Sequence, residues 1–210
     1  NMSVRTVQAI AEKYLANQPS STRSFQRSAP AAVEPFERIV NKHTHQTHCI
    51  VGARAYDIHA ERRLPLSLLI NILGGPSANS RLNVVLREKN GLSYNTEAAY
   101  TPYNDCGMVA IYFSSDHHNA DLCRELIDKE LQTLRTNALT TRQIAMIKRQ
   151  FLAQMAISME NNEGYMLGAG KSFLVHDEID TLEEVYRKVS TVTAEQIMEV
   201  AEEIFSRTST

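Results

Sequence analysis

The spacing of apolar residues changes character several times along the chain, and each change marks an element. Val4, Val7, Ile10, Ala11 and Tyr14 recur at helical spacing behind Ser3, which predicts an N-capped helix ending near Leu15. Residues 18–35 lose the pattern: Ser, Pro, Gln and Ala dominate, with Phe25 as the large apolar anchor, so the stretch reads as a linker. Phe36–Val40 looks like a short strand and His48–Tyr56 like a longer one. Glu61–Leu73 returns to helical spacing through Leu66, Leu69, Ile70 and Leu73, with Pro65 in its first turn.

The stretch Leu73–Tyr100 is the centre of the chain. Gly74-Gly75-Pro76 is a turn, because proline cannot continue a helix that precedes it. A second helical stripe follows at Leu82, Val85 and Leu86, and Asn90-Gly91 stops it, both residues tolerating a left-handed cap. Beyond Gly91 the chain reads as extended. Strands are predicted at Tyr94–Tyr103 and Gly107–Ser114, with Asn104-Asp105 turning between them as a hairpin.

From Ser115 onward the pattern is helical. Leu122, Leu126, Ile127, Leu131 and Leu134 form a core-facing stripe. Thr140/Gln143, Thr181/Glu184 and Thr193/Gln196 are three capping boxes; the first opens onto Ile144, Ile147, Phe151 and Met155, the last onto Ile197, Val200, Ala201, Ile204 and Phe205. Strands gathered before helices argue for an α+β fold, a mainly antiparallel sheet with helices on one face. The expected organisation is a helix over 1–17 closing a preceding domain, a linker over 18–35, and a domain over 36–210 entered near Val33.

Composition narrows the function. A net charge of −2 offers no electrostatic case for nucleic acid or an anionic membrane. No apolar run approaches the ~18 residues of a membrane span. Cys49, Cys106 and Cys123 sit at neither metal-ligand nor disulfide spacing and read as small hydrophobes in a reducing compartment, so a cytoplasmic location is expected.

Several residue groups carry candidate chemistry. His43 and His45 share a face if their stretch is a strand, but His48 then points away, and no carboxylate lies in the run to complete a zinc site. His117-His118 is a sequential pair ill suited to one metal. Gly74-Gly75-Pro76 before a helix lacks the Gly-Lys-Ser/Thr of a phosphate cradle. No His-x-x-Glu-His, its inversion, or Gly-x-Ser-x-Gly is present. The cysteines have no visible activating partner. Gly164, Gly168 and Gly170 with Tyr165 fit either a binding loop or close helix packing. Arg87, in the last helical turn, and Tyr94, on the strand after the reversal, are either ordinary terminal residues or a functional pair brought together on a concave surface.

The block Gly74, Gly75, Ser80, Arg81, Leu82, Leu86, Arg87, Glu88, Lys89, Gly91, Leu92 and Tyr94 resembles the signature of the second half of insulinase/pitrilysin-family metallopeptidases. Gln46-Thr47-His48 with Gly52 resembles that family's Gln-x-His…Gly strand, and the tail from Asp121 to Phe205 is also similar. The resemblance implies a mitochondrial-processing-peptidase-like half of a two-domain clamshell. In such an enzyme the other half binds zinc on an inverted motif, and this half closes the cleft and contributes Arg87 and Tyr94 to substrate and transition state. It implies no metal or cofactor in this chain, zinc in a partner half, a peptide substrate, and no activity for this half alone. The segment before residue 36 would be the tail of the first half, and the chain stops where a further strand is expected. Relatives that act as non-catalytic core or substrate-binding subunits supply the alternative.

Overall fold

The computed structural model describes residues 2–19, 24, 28, 30–31 and 34–206. The chain divides into two compact units, Asn1–Pro30 and Ala31–Thr210. In the first unit α1 (Val4–Leu15) is capped by Ser3, whose side chain accepts from the Thr6 amide, and its apolar stripe is exposed. Phe25, Val33 and most of the predicted linker lie outside the described residues.

The second unit is built on a three-stranded antiparallel sheet in the order β1-β3-β2, with β1 at Thr47–Ala55, β2 at Ser93–Pro102 and β3 at Gly107–Ser115. Period-2 burial shows that one face is covered: Val109, Ile111 and Phe113 of β3 are buried while Met108 is exposed. The covering layer is α2 (Arg63–Gly74) on β2, α3 (Ala120–Thr136) on β3, and α7 (Ala194–Phe205) against α2, α3 and β1. Leu66, Leu68, Leu69, Leu73, Phe113, Ile127 and Ile197 form the centre of this core. Gly74 allows the close approach of α2 to β2, since a Cβ there would lie 2.6 Å from the Ala98 amide nitrogen. Outside this layer, α4 (Thr141–Glu160) packs on α2, and α5 (Asn162–His176) and α6 (Leu182–Thr191) pack on α4. The α+β class with helices on one face is as expected, and all three capping boxes are formed.

Four expectations need correction. Phe36–Val40 is not a strand; among the described residues the segment pairs with no strand, and Phe36, Ile39 and Val40 are exposed. An apolar run becomes a strand only where a neighbour takes its backbone groups. The α3 stripe keeps Ile127, Leu131 and Leu134 buried, but at its start Cys123 is buried and Leu122 is left 44% exposed. Gly164, Gly168 and Gly170 lie within α5, so they form no loop, and a side chain at Gly168 or Gly170 would meet nothing within 4 Å. The segment Asn83–Lys89 is a π-helix rather than an α-helix.

Candidate functional site

The π-helix fixes where Arg87 sits. Its i→i+5 bonding is rare and concentrates at functional sites. The wide turn is closed by side chains and a reversal: Asn90 Nδ2 donates to the Val85 carbonyl at 2.7 Å, five residues back, replacing a backbone donor. The Gly91 amide donates to Arg87 O at 2.9 Å and the Leu92 amide to Leu86 O at 2.8 Å. Gly91 alone takes the left-handed backbone, at φ 61°, while Asn90 stays at φ −116°. Leu82 and Leu86 are fully buried and anchor the segment to the core.

The two arginines of the motif have different duties. Arg81 is committed, its guanidinium 3.1 Å from Glu130 of α3 in a half-buried ion pair. The Arg87 side chain is exposed and makes no hydrogen bond or ion pair among the described residues. α2 and the turn after it are each tied to α4 by an amide pair, Asn71 Nδ2 to Gln154 Oε1 at 2.8 Å and Asn79 Nδ2 to Gln150 Oε1 at 3.2 Å.

Tyr94 is placed by a feature that sequence reading missed. In the β2–β3 pairing Ser93 faces Ser115 and Asn95 faces Ser114, so Tyr94 is the extra residue of a β-bulge. Tyr94 is 65% exposed. The buried Ser93 hydroxyl pins the bulge: it lies 2.9 Å from Ser114 O, 3.0 Å from Asn95 O and 2.9 Å from Thr96 Oγ1. Its single proton serves one carbonyl while the Thr96 hydroxyl donates to it. The signal in the sequence is a parity break, Ser93 being buried on an odd position and Ala98 on an even one. The π-helix packs directly against β2, so Arg87 and Tyr94 stand on adjacent elements, and no hydrogen bond joins them.

Two of the candidate histidines are engaged in structural contacts. His48 Nδ1 is 2.8 Å from the Tyr112 hydroxyl, and the two rings stack. His117 Nε2 lies 2.9 Å from the Thr44 carbonyl, which only accepts, so Nε2 carries a proton; Nδ1, 2.7 Å from the Thr47 hydroxyl, then accepts from it in the neutral ring. His43 and His45 precede β1 in irregular chain, not on a strand. Among the described residues no group of three or more His, Cys, Asp or Glu side chains could hold a metal ion, so these residues do not fit zinc. Burial pushes the Cys49 and Cys123 thiols up, away from the thiolate that nucleophilic chemistry needs.

The family model described as the Peptidase M16 inactive domain matches residues 1–151. An uncharacterized zinc protease of Bacillus subtilis, YmxG, is 30% identical over 165 residues, covering 79% of this chain and 40% of its own length. An uncharacterized zinc protease of Streptomyces coelicolor is 28% identical over 216 residues, covering 99% of this chain and 46% of its own. The chain thus spans less than half the length of these relatives. Among solved structures, a peptidase M16 inactive domain from Pseudomonas fluorescens superposes with a TM-score of 0.77 at 23% identity, covering 97% of this chain and 48% of that one. A protease from Helicobacter pylori gives 0.77 at 15%, covering 98% and 50%. At such identities these two likenesses speak for the fold.

Proposed function

This chain belongs to the peptidase M16 family, matching its inactive domain, and on that premise we propose that it is the substrate-binding half of a zinc metalloendopeptidase. In this reading it closes the cleft over a polypeptide, while the zinc belongs to another half, on the same chain or a partner. Residues 1–17 would be that half's closing helix, 18–35 the linker, and the parent enzyme cytoplasmic, which cell fractionation would test.

The observation that carries the reading is the contrast within the motif: Arg81 is held by Glu130, whereas the Arg87 side chain is exposed and has no partner among the described residues, and Tyr94, on the adjacent β2, is the extra residue of a bulge. A guanidinium is a permanent cation with donors in a fixed fork, and a phenol is a neutral donor. Converging on a peptide carbonyl, the two would bind it and then hold the oxyanion as charge develops. Tyr94 is raised by the bulge, and Arg87 is presented by the last turn of the π-helix.

The test is turnover of unstructured peptides by the chain joined to a zinc-bearing half. Arg87→Ala is expected to lower turnover by about 10²–10³, and Tyr94→Phe by less, with melting temperatures near the parent's because neither side chain is buried. Unchanged turnover in both variants would refute the pair and favour a non-catalytic core or substrate-binding subunit.

A further inference from the structure

Asn90-Gly91 is the only Asn-Gly step in the chain, and it lies between the two residues of the proposed pair. The step has a chemistry of its own. A glycine nitrogen that follows asparagine has no Cβ beside it to shield it, and it reaches the asparagine Cγ through a five-membered ring. Both residues are exposed, and a Cβ built at Gly91 would meet no atom within 4 Å, so the backbone there has room to turn.

Hydrogen bonds restrain the reaction. The Gly91 amide, whose nitrogen is the nucleophile, donates to Arg87 O at 2.9 Å. Asn90 Nδ2, the leaving nitrogen, donates to Val85 O at 2.7 Å. Asn90 is held at φ −116° and ψ −12°. At that ψ the Gly91 nitrogen is turned away from the Cβ–Cγ arm, and the ring closes only after the peptide plane swings round. The folded turn is therefore a closed gate on a reactive pair of groups.

We propose that Asn90 is a gated modification site, which deamidates to aspartate and isoaspartate when these two bonds open, and that the product disarms the Arg87–Tyr94 pair. In the first step the bond from the Gly91 nitrogen to Asn90 Cγ forms and the Cγ–Nδ2 bond breaks. The Gly91 amide proton passes to solvent base, and Nδ2 leaves as ammonia. Water then opens the cyclic imide at either carbonyl, giving aspartate or isoaspartate. Water is the only co-reactant, and nothing is oxidised or reduced.

Either product damages the turn. Aspartate sets a carboxylate oxygen where Nδ2 faced Val85 O, two acceptors with no proton between them. It also places a negative charge three residues from Arg87, whose side chain has no partner among the described residues. Isoaspartate lengthens the main chain by one atom inside the reversal that sets Arg87 beside β2. The consequence for activity rests on the proposed role of Arg87 and Tyr94; the modification itself does not.

The test incubates the full chain at mildly alkaline pH, folded and unfolded in urea, and follows the peptide containing residues 90 and 91 by mass spectrometry. The folded chain should convert about ten- to a hundredfold more slowly, the worth of two ordinary hydrogen bonds. Exchange of the Gly91 amide in the folded chain should be slowed by no more than that factor, since the same nitrogen must first leave Arg87 O. Asn90→Gln, which cannot close a five-membered ring, should stay intact. Equal rates folded and unfolded, an unprotected Gly91 amide, or an unfolded chain that leaves Asn90 intact would each overturn the gated site. Joined to a zinc-bearing half, Asn90→Asp should lose turnover by about 10²-fold, the usual cost of a reacting group misplaced by about an ångström. Parent-like turnover of Asn90→Asp beside losses in Arg87→Ala and Tyr94→Phe would overturn the disarming and leave the proposed function standing. If Arg87→Ala and Tyr94→Phe lose nothing, the proposed function fails and the disarming with it, while the gate stands or falls on the measured rates.

Discussion

Replacing Gly91 by alanine isolates the backbone reversal that sets Arg87 against β2. Gly91 has φ 61°, and a Cβ built there would meet no atom within 4 Å. Steric clash with neighbours is thereby excluded, and what remains is the intrinsic cost of a left-handed L-residue, about 1–2 kcal/mol. The alanine also restricts the unfolded chain, which returns about 0.4–1 kcal/mol. The net expectation is a destabilisation of about 1 kcal/mol, which for a chain of this length lowers the melting temperature by about 2–4 °C. Gly91→Asn should cost less, because asparagine tolerates the left-handed region. The assay is thermal unfolding by circular dichroism on the parent and both variants. Equal melting of parent and Gly91→Ala, or equal losses for Ala and Asn, would refute the assignment of the cost to φ.

Two further outcomes are expected. Ser93→Ala removes the hydroxyl that pins the bulge and should cost about 1 kcal/mol, with faster amide exchange at Asn95 and Ser114; unchanged exchange would show that the bulge holds without it. His176, at the end of α5, is pushed below the usual histidine range by burial first, then by Arg63 and the edge-on His59 ring. Its unfolded value is about 6.5, so the unfolded chain takes up more protons below that pH and stability falls on acidification. Glutamine at 176 should narrow the gap in melting temperature between pH 7 and pH 5, and an unchanged gap would rule the group out.

The sequence was legible where structure is local. Thr140, Thr181 and Thr193 each announce a helix within four residues, because a capping box is complete within one turn. The Arg87 motif was legible as a pattern of residue types. The failures share a different cause. A bulge belongs to two strands at once, so Tyr94's extra place against Ser114 and Ser115 is invisible in β2 alone. Leu122 and Cys123 differ by one helical step, and only contact with the sheet decides which is buried. Phe36–Val40 has strand composition and lacks a bonding neighbour among the described residues. The π-helix buries Leu86, with Leu82 just before it, much as an α-helix would, so apolar spacing does not separate the two.

The strand order has a consequence in chain entropy. Residues 103–106 separate β2 from β3, whereas residues 56–106 separate β1 from β3. Closing the longer loop costs about 2 kcal/mol more, and the helices that pack on the sheet must offset it. The β1–β3 edge is therefore the costlier of the sheet's two pairings to hold shut, and local opening falls there before it reaches the hairpin.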